Sequence, residues 1–210
     1  MKDYIFLFDL DSTITKQEIL PNISKIVGKQ NEMRELTERT MNGELPFKQS
    51  FLSRIDLLKD IPVSKVQDLI EQIPVHEELV RFMNDNKNQC YIVTGNLDIW
   101  ISKLLKKIGM ENNCYCSSAR VEDDKIVEVT NVIDKANVDS WFKKKLVVVG
   151  DGNNDADMIS KAEIGIGFGA VRPIAPAVLE CATHAIYDEH KLYTFLNDIN
   201  RWKLWLLTKR

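Results

Sequence analysis

The chain has 210 residues, 44% of them hydrophobic and 28% charged, with a net charge of -3 at pH 7. This composition is ordinary for a folded globular chain and excludes a disordered one, and the length suits one core domain with a large insertion or a small second domain. The acidic balance argues against nucleic acid or an anionic membrane as the main partner. We see no secretory leader and no segment near the roughly 20 apolar residues that span a bilayer, so we expect a cytoplasmic protein.

The first predicted element is a buried strand, Tyr4–Phe8, that ends in an acidic pair. Asp9 and Asp11 follow it, and two hydroxyl residues come next. Side chains in extended backbone alternate with a period of two, so the two carboxylates point in roughly the same direction. Ligands of open α/β sheets bind beyond the carboxyl ends of strands, and two carboxylates this close repel each other. The pair therefore predicts a cation-binding site.

The interval from Ile14 to Val75 contains helical segments and no convincing strand. It is punctuated by turn-forming residues, namely Gly28, Gly43, Pro46, Pro62 and Pro74. The interval interrupts the alternation of strands and helices, and a helical insertion accounts for it better than part of the sheet. We therefore expect a small helical cap at residues 14–75, inserted after the first strand, and an α/β catalytic core formed by residues 1–13 and 76–210.

The second predicted core strand, Cys90–Val93, ends in Thr94-Gly95-Asn96. A helix is expected just beyond it, because apolar residues recur at helical spacing before a glycine stop signal; they are Ile99, Leu104, Leu105 and Ile108. A hydroxyl and a glycine amide just before a helix are groups that bind phosphate.

Later segments continue the alternation of strands and helices. The clearest strand is Leu146–Val149, and weaker candidates are Cys114–Val121, Ile164–Phe168 and His184–Ile186, with a hairpin near Asp123-Asp124 and a C-terminal helix from Leu192 to Leu207. This alternation predicts a doubly wound, mainly parallel Rossmann-like α/β sheet. The last helix is expected to pack against the sheet, while Trp205 and Leu207 widen its apolar face, so we expect a monomer or a homodimer.

A second acidic group follows the strand Leu146–Val149, in the segment Gly150-Asp151-Gly152-Asn153-Asn154-Asp155. If the two acidic strands are neighbours, four carboxylates converge on one crevice: those of Asp9, Asp11, Asp151 and Asp155. Each like-charge pair at ~4 Å would cost about 4 kcal/mol at an effective dielectric near 20. A hard divalent cation relieves this repulsion, and magnesium suits an oxygen-rich site with room for water and phosphate. Lys135 could add a further positive charge.

The order and spacing of these motifs resemble the haloacid dehalogenase superfamily of phosphatases, in the subgroup with a helical cap between the first two motifs. The motifs are Asp-x-Asp-Ser-Thr, then Thr-Gly, a lysine and Gly-Asp-Gly-x-Asn-Asp, and the resemblance spans about Tyr4 to Tyr187. It implies a phosphomonoesterase in which Asp9 is the nucleophile that forms an aspartyl-phosphate. Asp11 would protonate the leaving oxygen and then deprotonate the hydrolytic water.

The same resemblance assigns the remaining polar groups of the core. Thr94 and the Gly95 amide would hold phosphate oxygens, and Lys135 would neutralise charge on the nucleophile and the phosphate. The cofactor would be magnesium, held by a set of acidic residues: Asp9, Asp151, Asp155 and, through its backbone carbonyl, Asp11. Alternatively, Asp155 would orient Lys135 or metal-bound water.

Within the superfamily, the cap resembles that of the phosphoserine phosphatases. By this resemblance Glu18 would receive the ammonium group of the substrate and Arg54 its carboxylate, which a guanidinium can bind through two parallel hydrogen bonds. Further matching positions are Met41 and Phe47, which would shield the site, Gly43, which would shape a turn, and Asn154, which would lie near the phosphate. The expected reaction is hydrolysis of O-phospho-L-serine, a small phosphorylated metabolite, to L-serine and phosphate.

Two departures from the family pattern leave alternatives open. The second motif reads Thr-Gly-Asn instead of Ser-Gly-Gly, so Asn96 adds bulk and hydrogen-bonding groups beside the phosphate. The substrate could instead be phosphoethanolamine, an amino-alcohol phosphate or a biosynthetic conjugate of one, and an alcohol could replace water as the phosphoryl acceptor. The interval from Lys135 to Asp151 is also short, which leaves the lysine role open to Lys143, Lys144 or Lys145.

The order of the motifs disfavours three rival classes. A glycosyltransferase with an Asp-x-Asp metal motif needs a nucleotide-binding fold before it, and eight residues precede Asp9. A receiver-type signalling domain has no large helical insertion after its first strand. An inert scaffold would not need every proposed chemical group, and all of them are present.

Overall fold

The structure is a computed structural model that describes residues 4–41 and 44–207. Its strands are β1 (Tyr4–Phe8), β2 (Cys90–Leu97), β3 (Cys114–Glu122), β4 (Lys125–Asn131), β5 (Lys145–Gly150), β6 (Ile164–Phe168) and β7 (His184–Ile186). Its α-helices are α1 (Ile19–Ser24), α2 (Gln30–Met41), α3 (Phe47–Leu58), α4 (Val63–Glu71), α5 (Glu77–Asp85), α6 (Asp98–Lys107), α7 (Ala156–Ser160), α8 (Pro176–Cys181) and α9 (Glu189–Leu207). Short 3-10 turns lie at Lys25–Val27, Lys87–Gln89, Lys135–Trp141 and Asn153–Asp155.

The strands of these described ranges form one sheet in the order β4-β3-β2-β1-β5-β6-β7. β4 runs antiparallel to β3 at one edge, and the other neighbouring pairs are parallel. The direction in which strands are added reverses at β1. β2, β3 and β4 are added in turn on one side of β1, and β5, β6 and β7 on the other. Such a reversal is typical of a doubly wound sheet. The predicted α/β fold with a mainly parallel sheet is confirmed.

Helices cover both faces of the sheet. Phe6 and Phe8 of β1 contribute to the apolar cluster shared with α5, α6 and α9, whereas Ile5 and Leu7 contribute to the cluster shared with α7 and α8. All four side chains are buried, since successive residues of a strand point to opposite faces and both faces are covered. This arrangement explains why β1 is a continuous apolar run and not an alternating one.

Parallel pairing brings the carboxyl ends of the central strands to one edge of the sheet. Phe8 at the end of β1 lies opposite Val149 of β5 and Ile92 of β2. The backbone N–H of Asp9 continues the ladder and donates to the carbonyl of Val149 at 2.9 Å. The residues that follow these strands therefore meet at the switch point of the sheet, where open α/β folds bind ligands.

The second core strand is longer than the sequence predicts. It continues to Leu97 instead of ending at Val93, so residues 94–96 belong to β2, and α6 begins only at Asp98. Thr94 and Gly95 thus lie just before the helix, as predicted, but within the strand and not beyond its end. The cause is tertiary, because Leu97 pairs with Ser117 of β3 across an irregularity in the register.

The predicted hairpin is present as the pair β3 and β4. Its turn residues Asp123 and Asp124 both have positive φ angles, 47° and 61°, which short polar side chains tolerate. The carboxylate of Asp124 accepts a hydrogen bond from the backbone N–H of Ser64 at 2.9 Å. The hairpin tip is thereby tied to the start of α4.

The described part of the chain between β1 and α5 is helical and contains α1 to α4. Its two ends lie side by side, since an isolated antiparallel bridge pairs Thr15 with Val75 and the N–H of His76 donates to the carbonyl of Ile14 at 2.8 Å. α5, which follows, packs against β2 and α9. The helical segment thus leaves and rejoins the rest of the chain through adjacent backbone.

The C-terminal helix α9 begins at Glu189, before the predicted Leu192. Leu192 and Leu196 are buried in the same cluster as Phe6, so this helix packs on the sheet as expected. The side chains of Trp205 and Leu207 lie outside the described residues. Within residues 4–41 and 44–207, none of the helices combines the length and the apolar character that crossing a membrane requires.

Candidate active site

Three acidic residues meet at the switch point of the sheet. Asp9 follows β1, Asp151 follows β5, and Asp155 lies in the 3-10 turn just beyond. All three are buried, and one carboxylate oxygen of each lies within 4.8 Å of the others. The donors are all carboxylate oxygens, which hard divalent cations prefer, so this group of side chains can hold a metal ion.

Lys135 places its ammonium group between two of these carboxylates. Its Nζ donates to Oδ1 of Asp9 at 2.5 Å and to Oδ1 of Asp155 at 2.7 Å, and the residue is 4% exposed. Burial lowers the pKa of Lys135, but the carboxylates of Asp155 and Asp9 more than offset this, so its pKa lies above the usual value and the group is charged. The alternative lysines all lie at exposed positions: Lys143, Lys144 and Lys145.

Asp155 uses both of its oxygens inside the protein. While Oδ1 faces Lys135, Oδ2 accepts hydrogen bonds from the backbone N–H groups of Asp151 at 3.1 Å and Gly152 at 2.9 Å. A Cβ on Gly150 would come within 2.7 Å of the Asp155 carboxyl carbon, which explains the glycine at that position. Asp155 therefore holds both the loop after β5 and the lysine in place.

Burial dominates the electrostatics of the two carboxylates that follow β1 and β5. It raises the pKa of Asp9 well above the usual value, against the opposing charge of Lys135, and raises that of Asp151 to about 7 against the opposing charge of Arg172. Both groups are more easily ionised when further positive charge is nearby. The cations of the protein itself, Lys135 and Arg172, do not offset the effect of burial on these two carboxylates, and a divalent ion would supply further positive charge.

The carboxyl group of Asp11 lies outside this group of three. Its Oδ1 accepts a hydrogen bond from the backbone N–H of Ile19, at the start of α1, at 2.9 Å. Burial raises the pKa of Asp11 to about 6, and the Ile19 hydrogen bond opposes the shift. The next residue, Ser12, has a φ of 63°, so the chain turns sharply here. Asp11 is therefore a carboxyl group that carries a proton more readily than an exposed aspartate.

The end of β2 contributes the hydroxyl of Thr94 beside these acids. Oγ1 of Thr94 accepts hydrogen bonds from the backbone N–H of Asn96 at 3.2 Å and from its Nδ2 at 3.3 Å. Because both acceptor positions are filled, the hydroxyl hydrogen is left to donate to a ligand. The predicted phosphate-binding hydroxyl is thus oriented by its own strand.

A cavity of about 350 Å³ opens above these groups. Most of the residues predicted to form the site line it: Asp9, Asp11, Glu18, Phe47, Arg54, Thr94, Gly95 and Asn154. Lys135, Asp151 and Asp155 are buried nearby through their contacts with Asp9 and with each other. Of the other predicted residues, Gly43 lies outside the described residues, and so does the side chain of Met41.

Phe47 of α3 lies directly over Gly95. A Cβ built on Gly95 would come within 2.6 Å of the ring carbon Cζ of Phe47, closer than carbon atoms approach without displacement. The helical insertion is therefore in contact with the strand end whose amide is expected to bind phosphate. The absence of a side chain at this position permits that contact.

Replacement of Gly95 by alanine is expected to lower kcat/KM for a phosphomonoester by about 10- to 100-fold, because the Phe47 ring and α3 must shift away from the cavity. The free energy of unfolding should change little, since the ring can move. The double variant Gly95→Ala with Phe47→Leu is the matched test, compared with Phe47→Leu alone. If the alanine costs as much activity beside the smaller leucine side chain as beside phenylalanine, the steric explanation fails.

Arg54 of α3 brings a cation to the cavity. Its Nε makes a long hydrogen bond of 3.4 Å to the carbonyl of Ser50, and across the described ranges its guanidinium has no carboxylate within ion-pair distance. Burial lowers the pKa of Arg54, and the charges of Asp11 and Glu18 oppose that shift. A half-buried guanidinium without an ion-pair partner is well suited to bind an anionic group of a ligand.

Arg172 is a site residue that the sequence reasoning missed. Its guanidinium bonds to the carboxylate of Asp151 through Nε and to Oε1 of Glu18 through Nη1 at 2.8 Å. Burial lowers the pKa of Arg172, but Asp151 and Glu18 outweigh that effect and raise it. No motif marks this residue, although it follows β6, the neighbour of β5. The rule that ligands bind beyond strand ends could have identified it.

Comparisons with known proteins identify the family of this chain. The sequence model of the haloacid dehalogenase-like hydrolases matches residues 6–160. The phosphoserine phosphatase of Methanocaldococcus jannaschii is 32% identical over 188 residues, which cover 82% of this chain and 88% of that protein.

Solved structures with a similar fold cover nearly the whole chain. A phosphoserine phosphatase described as a phospho-aspartyl intermediate analogue has a TM-score of 0.76 and 28% identity, and the superposition covers 93% of this chain and 99% of that one. A substrate-bound phosphoserine phosphatase complex has a TM-score of 0.78 and 27% identity, with 93% and 98% covered.

Proposed function

The chain belongs to the haloacid dehalogenase-like hydrolase family, and we propose that it hydrolyses O-phospho-L-serine to L-serine and phosphate through an aspartyl-phosphate on Asp9. The observation that carries the proposal is the position of Lys135, whose ammonium group contacts Asp9. Asp9 and the cation of Arg54 line the same cavity. The similarity to phosphoserine phosphatases supports the substrate.

Two carboxyl groups divide the chemistry between them. In the first step a carboxylate oxygen of Asp9 attacks phosphorus, the bond from phosphorus to the serine oxygen breaks, and Asp11 donates its proton to that oxygen. In the second step a water molecule gives its proton to Asp11 and attacks the acyl phosphate, which releases phosphate and regenerates Asp9. The raised pKa of Asp11, about 6, supports its role as the acid of the first step.

The Asp9 carboxylate and the phosphate group are both negative, so positive charge nearby must reduce their repulsion. Lys135 reduces the charge on Asp9 and is held in place by Asp155. Magnesium, bound by Asp9, Asp151 and the backbone carbonyl of Asp11, would supply the remaining positive charge beside an anionic ester. Asp155 positions Lys135 through Oδ1 and the loop after β5 through Oδ2, and as one of the three grouped acids it also adds negative charge beside the ion.

The phosphate and the amino-acid part of the substrate are bound by different parts of the chain. The hydroxyl of Thr94 and the amide of Gly95, with Asn154 nearby, bind the phosphate. Residues 14–75 form the cap that selects the substrate, and residues 1–13 and 76–210 form the catalytic core. From the cap, Glu18 and Arg54 bind the ammonium and carboxylate groups, while other residues close the site, namely Met41, Gly43 and Phe47.

The proposed setting follows from the same chemistry. The partner is a small phosphorylated metabolite, because the cavity of about 350 Å³ suits one and the net charge of -3 disfavours nucleic acid and anionic membranes. The proposed location is the cytoplasm, where serine biosynthesis would use the reaction, and the proposed state is a monomer or homodimer.

Replacement of Arg54 by alanine tests the substrate assignment. We expect kcat/KM for O-phosphoserine to fall by about 10- to 100-fold, because a charged hydrogen-bond pair to the carboxylate is lost. The value for p-nitrophenyl phosphate, which has no carboxylate, should change by less than about threefold. The control is Arg34→Ala, since Arg34 lies exposed on α2. Equal losses for both substrates would remove the carboxylate contact from the proposal.

A further inference from the structure

Asn96, which lines the cavity, has a side-chain oxygen without a hydrogen-bond partner among the described residues. Asn96 is 5% exposed and lines the cavity, and its Oδ1 is buried without a hydrogen bond from any residue in the described part of the chain. Buried amide oxygens in proteins are almost always hydrogen-bonded. Such an atom, in a residue that lines a ligand cavity, points to a ligand that supplies the missing donor.

The other half of the same side chain fixes its orientation. Nδ2 and the backbone N–H of Asn96 both donate to Oγ1 of Thr94, at 3.3 and 3.2 Å. If the amide were turned over, its oxygen would accept the hydroxyl hydrogen of Thr94. The hydroxyl could then no longer donate that hydrogen to the phosphate. The arrangement with Oδ1 unpaired therefore agrees with the proposed role of Thr94.

Each carboxylate that could share a donor on the ligand has one oxygen engaged within the protein and keeps its other oxygen as an acceptor. Glu18 accepts a hydrogen bond from Arg172 at 2.8 Å, and Asp11 accepts one from the N–H of Ile19 at 2.9 Å. Asn96 offers a further unused oxygen. Because its amide group also contacts Thr94, a donor bound to Oδ1 lies close to the phosphate.

We propose that Asn96 is a specificity-determining residue, whose Oδ1 accepts a hydrogen bond from an N–H or O–H group on the carbon next to the one that bears the phosphate. The inference rests on the proposed phosphatase function and narrows it to phosphomonoesters with a vicinal amino or hydroxyl group. O-Phosphoserine belongs to this class, because its ammonium group occupies that position. So does phosphoethanolamine, which lacks the carboxylate that Arg54 would bind.

The test compares two substrates that differ only in the donor. Phosphoethanolamine and n-propyl phosphate have the same length, but the first ends in an ammonium and the second in a methyl group. In Asn96→Ala we expect kcat/KM for phosphoethanolamine and for O-phosphoserine to fall by about 10- to 100-fold, as for a lost hydrogen bond to a charged group. The value for n-propyl phosphate should fall only by what the lost Nδ2 contact with Thr94 costs every ester, so the ratio of phosphoethanolamine to n-propyl phosphate should fall by about 10-fold or more. Asn96→Asp keeps an acceptor and should keep the preference for phosphoethanolamine over n-propyl phosphate, while both values fall because its second oxygen accepts the Thr94 hydroxyl hydrogen.

A purely positioning role through Thr94 predicts something different. It would lower kcat/KM for both esters equally and leave their ratio as in the unmodified enzyme, and that result would overturn the inference. If the unmodified enzyme cleaves phosphoethanolamine and n-propyl phosphate but not O-phosphoserine, the proposed substrate fails, while the ratio still decides the role of Asn96. Inactivity on all three esters would overturn both proposals. Should Asn96→Ala not fold, Asn96→Leu, which has a similar shape and no acceptor, takes its place, and an unchanged ratio again overturns the inference.

Discussion

Asp9→Asn is expected to lower kcat/KM for O-phosphoserine on the order of 10⁴-fold or more, the scale of loss seen when a nucleophile is removed from an enzyme. An amide cannot attack phosphorus as a carboxylate does, and the other carboxylate at Lys135, that of Asp155, is already held by the lysine and by two backbone amides. Phosphate release measured at saturating magnesium gives the comparison. Asp60→Asn is the control, since Asp60 lies at an exposed position beyond α3.

A second measurement makes the result specific for covalent catalysis. Acid quenching of the unmodified enzyme during turnover of a radiolabelled phosphoester should leave label on the protein as an acyl phosphate, and Asp9→Asn should carry none. A variant that keeps a tenth of the activity, or that is still labelled, would show that the nucleophile is another residue. Circular dichroism establishes that the variant is folded.

Lys135→Met is expected to impair both activity and stability. The substitution leaves the carboxylates of Asp9 and Asp155 buried without their shared cation. Breaking a buried ion pair by removing one partner typically costs about 3–5 kcal/mol in the free energy of unfolding. Activity should fall by about 100-fold or more, because Asp9 then meets the phosphate with less positive charge nearby. Urea denaturation and phosphate release measure the two effects.

The stability loss of Lys135→Met should depend on pH. Burial already raises the pKa of Asp9, and loss of the lysine raises it further. A carboxyl group whose pKa is higher in the folded than in the unfolded state releases its proton more easily on unfolding, so stability falls as the pH rises through these values. The deficit relative to the unmodified protein should therefore be larger at pH 7 than at pH 5. A deficit that is the same at both values would contradict the electrostatic explanation.

The control for this variant is Lys144→Met, because Lys144 was one of the other lysines that the sequence left open. It lies at an exposed position. Activity and unfolding free energy should stay close to those of the unmodified protein. A large loss of activity in Lys144→Met, with little loss in Lys135→Met, would show that Lys144 has the role assigned here to Lys135.

The order of the acidic motifs could be read from the sequence with little ambiguity. Apolar runs that end in acids place Asp9 and Asp151 at strand ends, and the structure brings these two residues together. The extension of β2 could not be read, because it depends on pairing with Ser117 in β3. Arg172 has no sequence motif, and only its position after β6 could have suggested it; its contacts with Asp151 and Glu18 join residues far apart in the chain.

Local periodicity and turn residues act over a few neighbours, so the sequence by itself determined where the strands lie, that helices follow the first strand, and that acids follow β1 and β5. Which distant side chains share that chemistry was decided only by strand pairing and by burial. Parallel pairing of β1 with β5 made Asp9 and Asp151 neighbours, and the fold placed Lys135 between carboxylates while leaving Lys144 exposed. A buried ammonium is stable only beside carboxylates, and that condition depends on contacts between residues far apart in the chain.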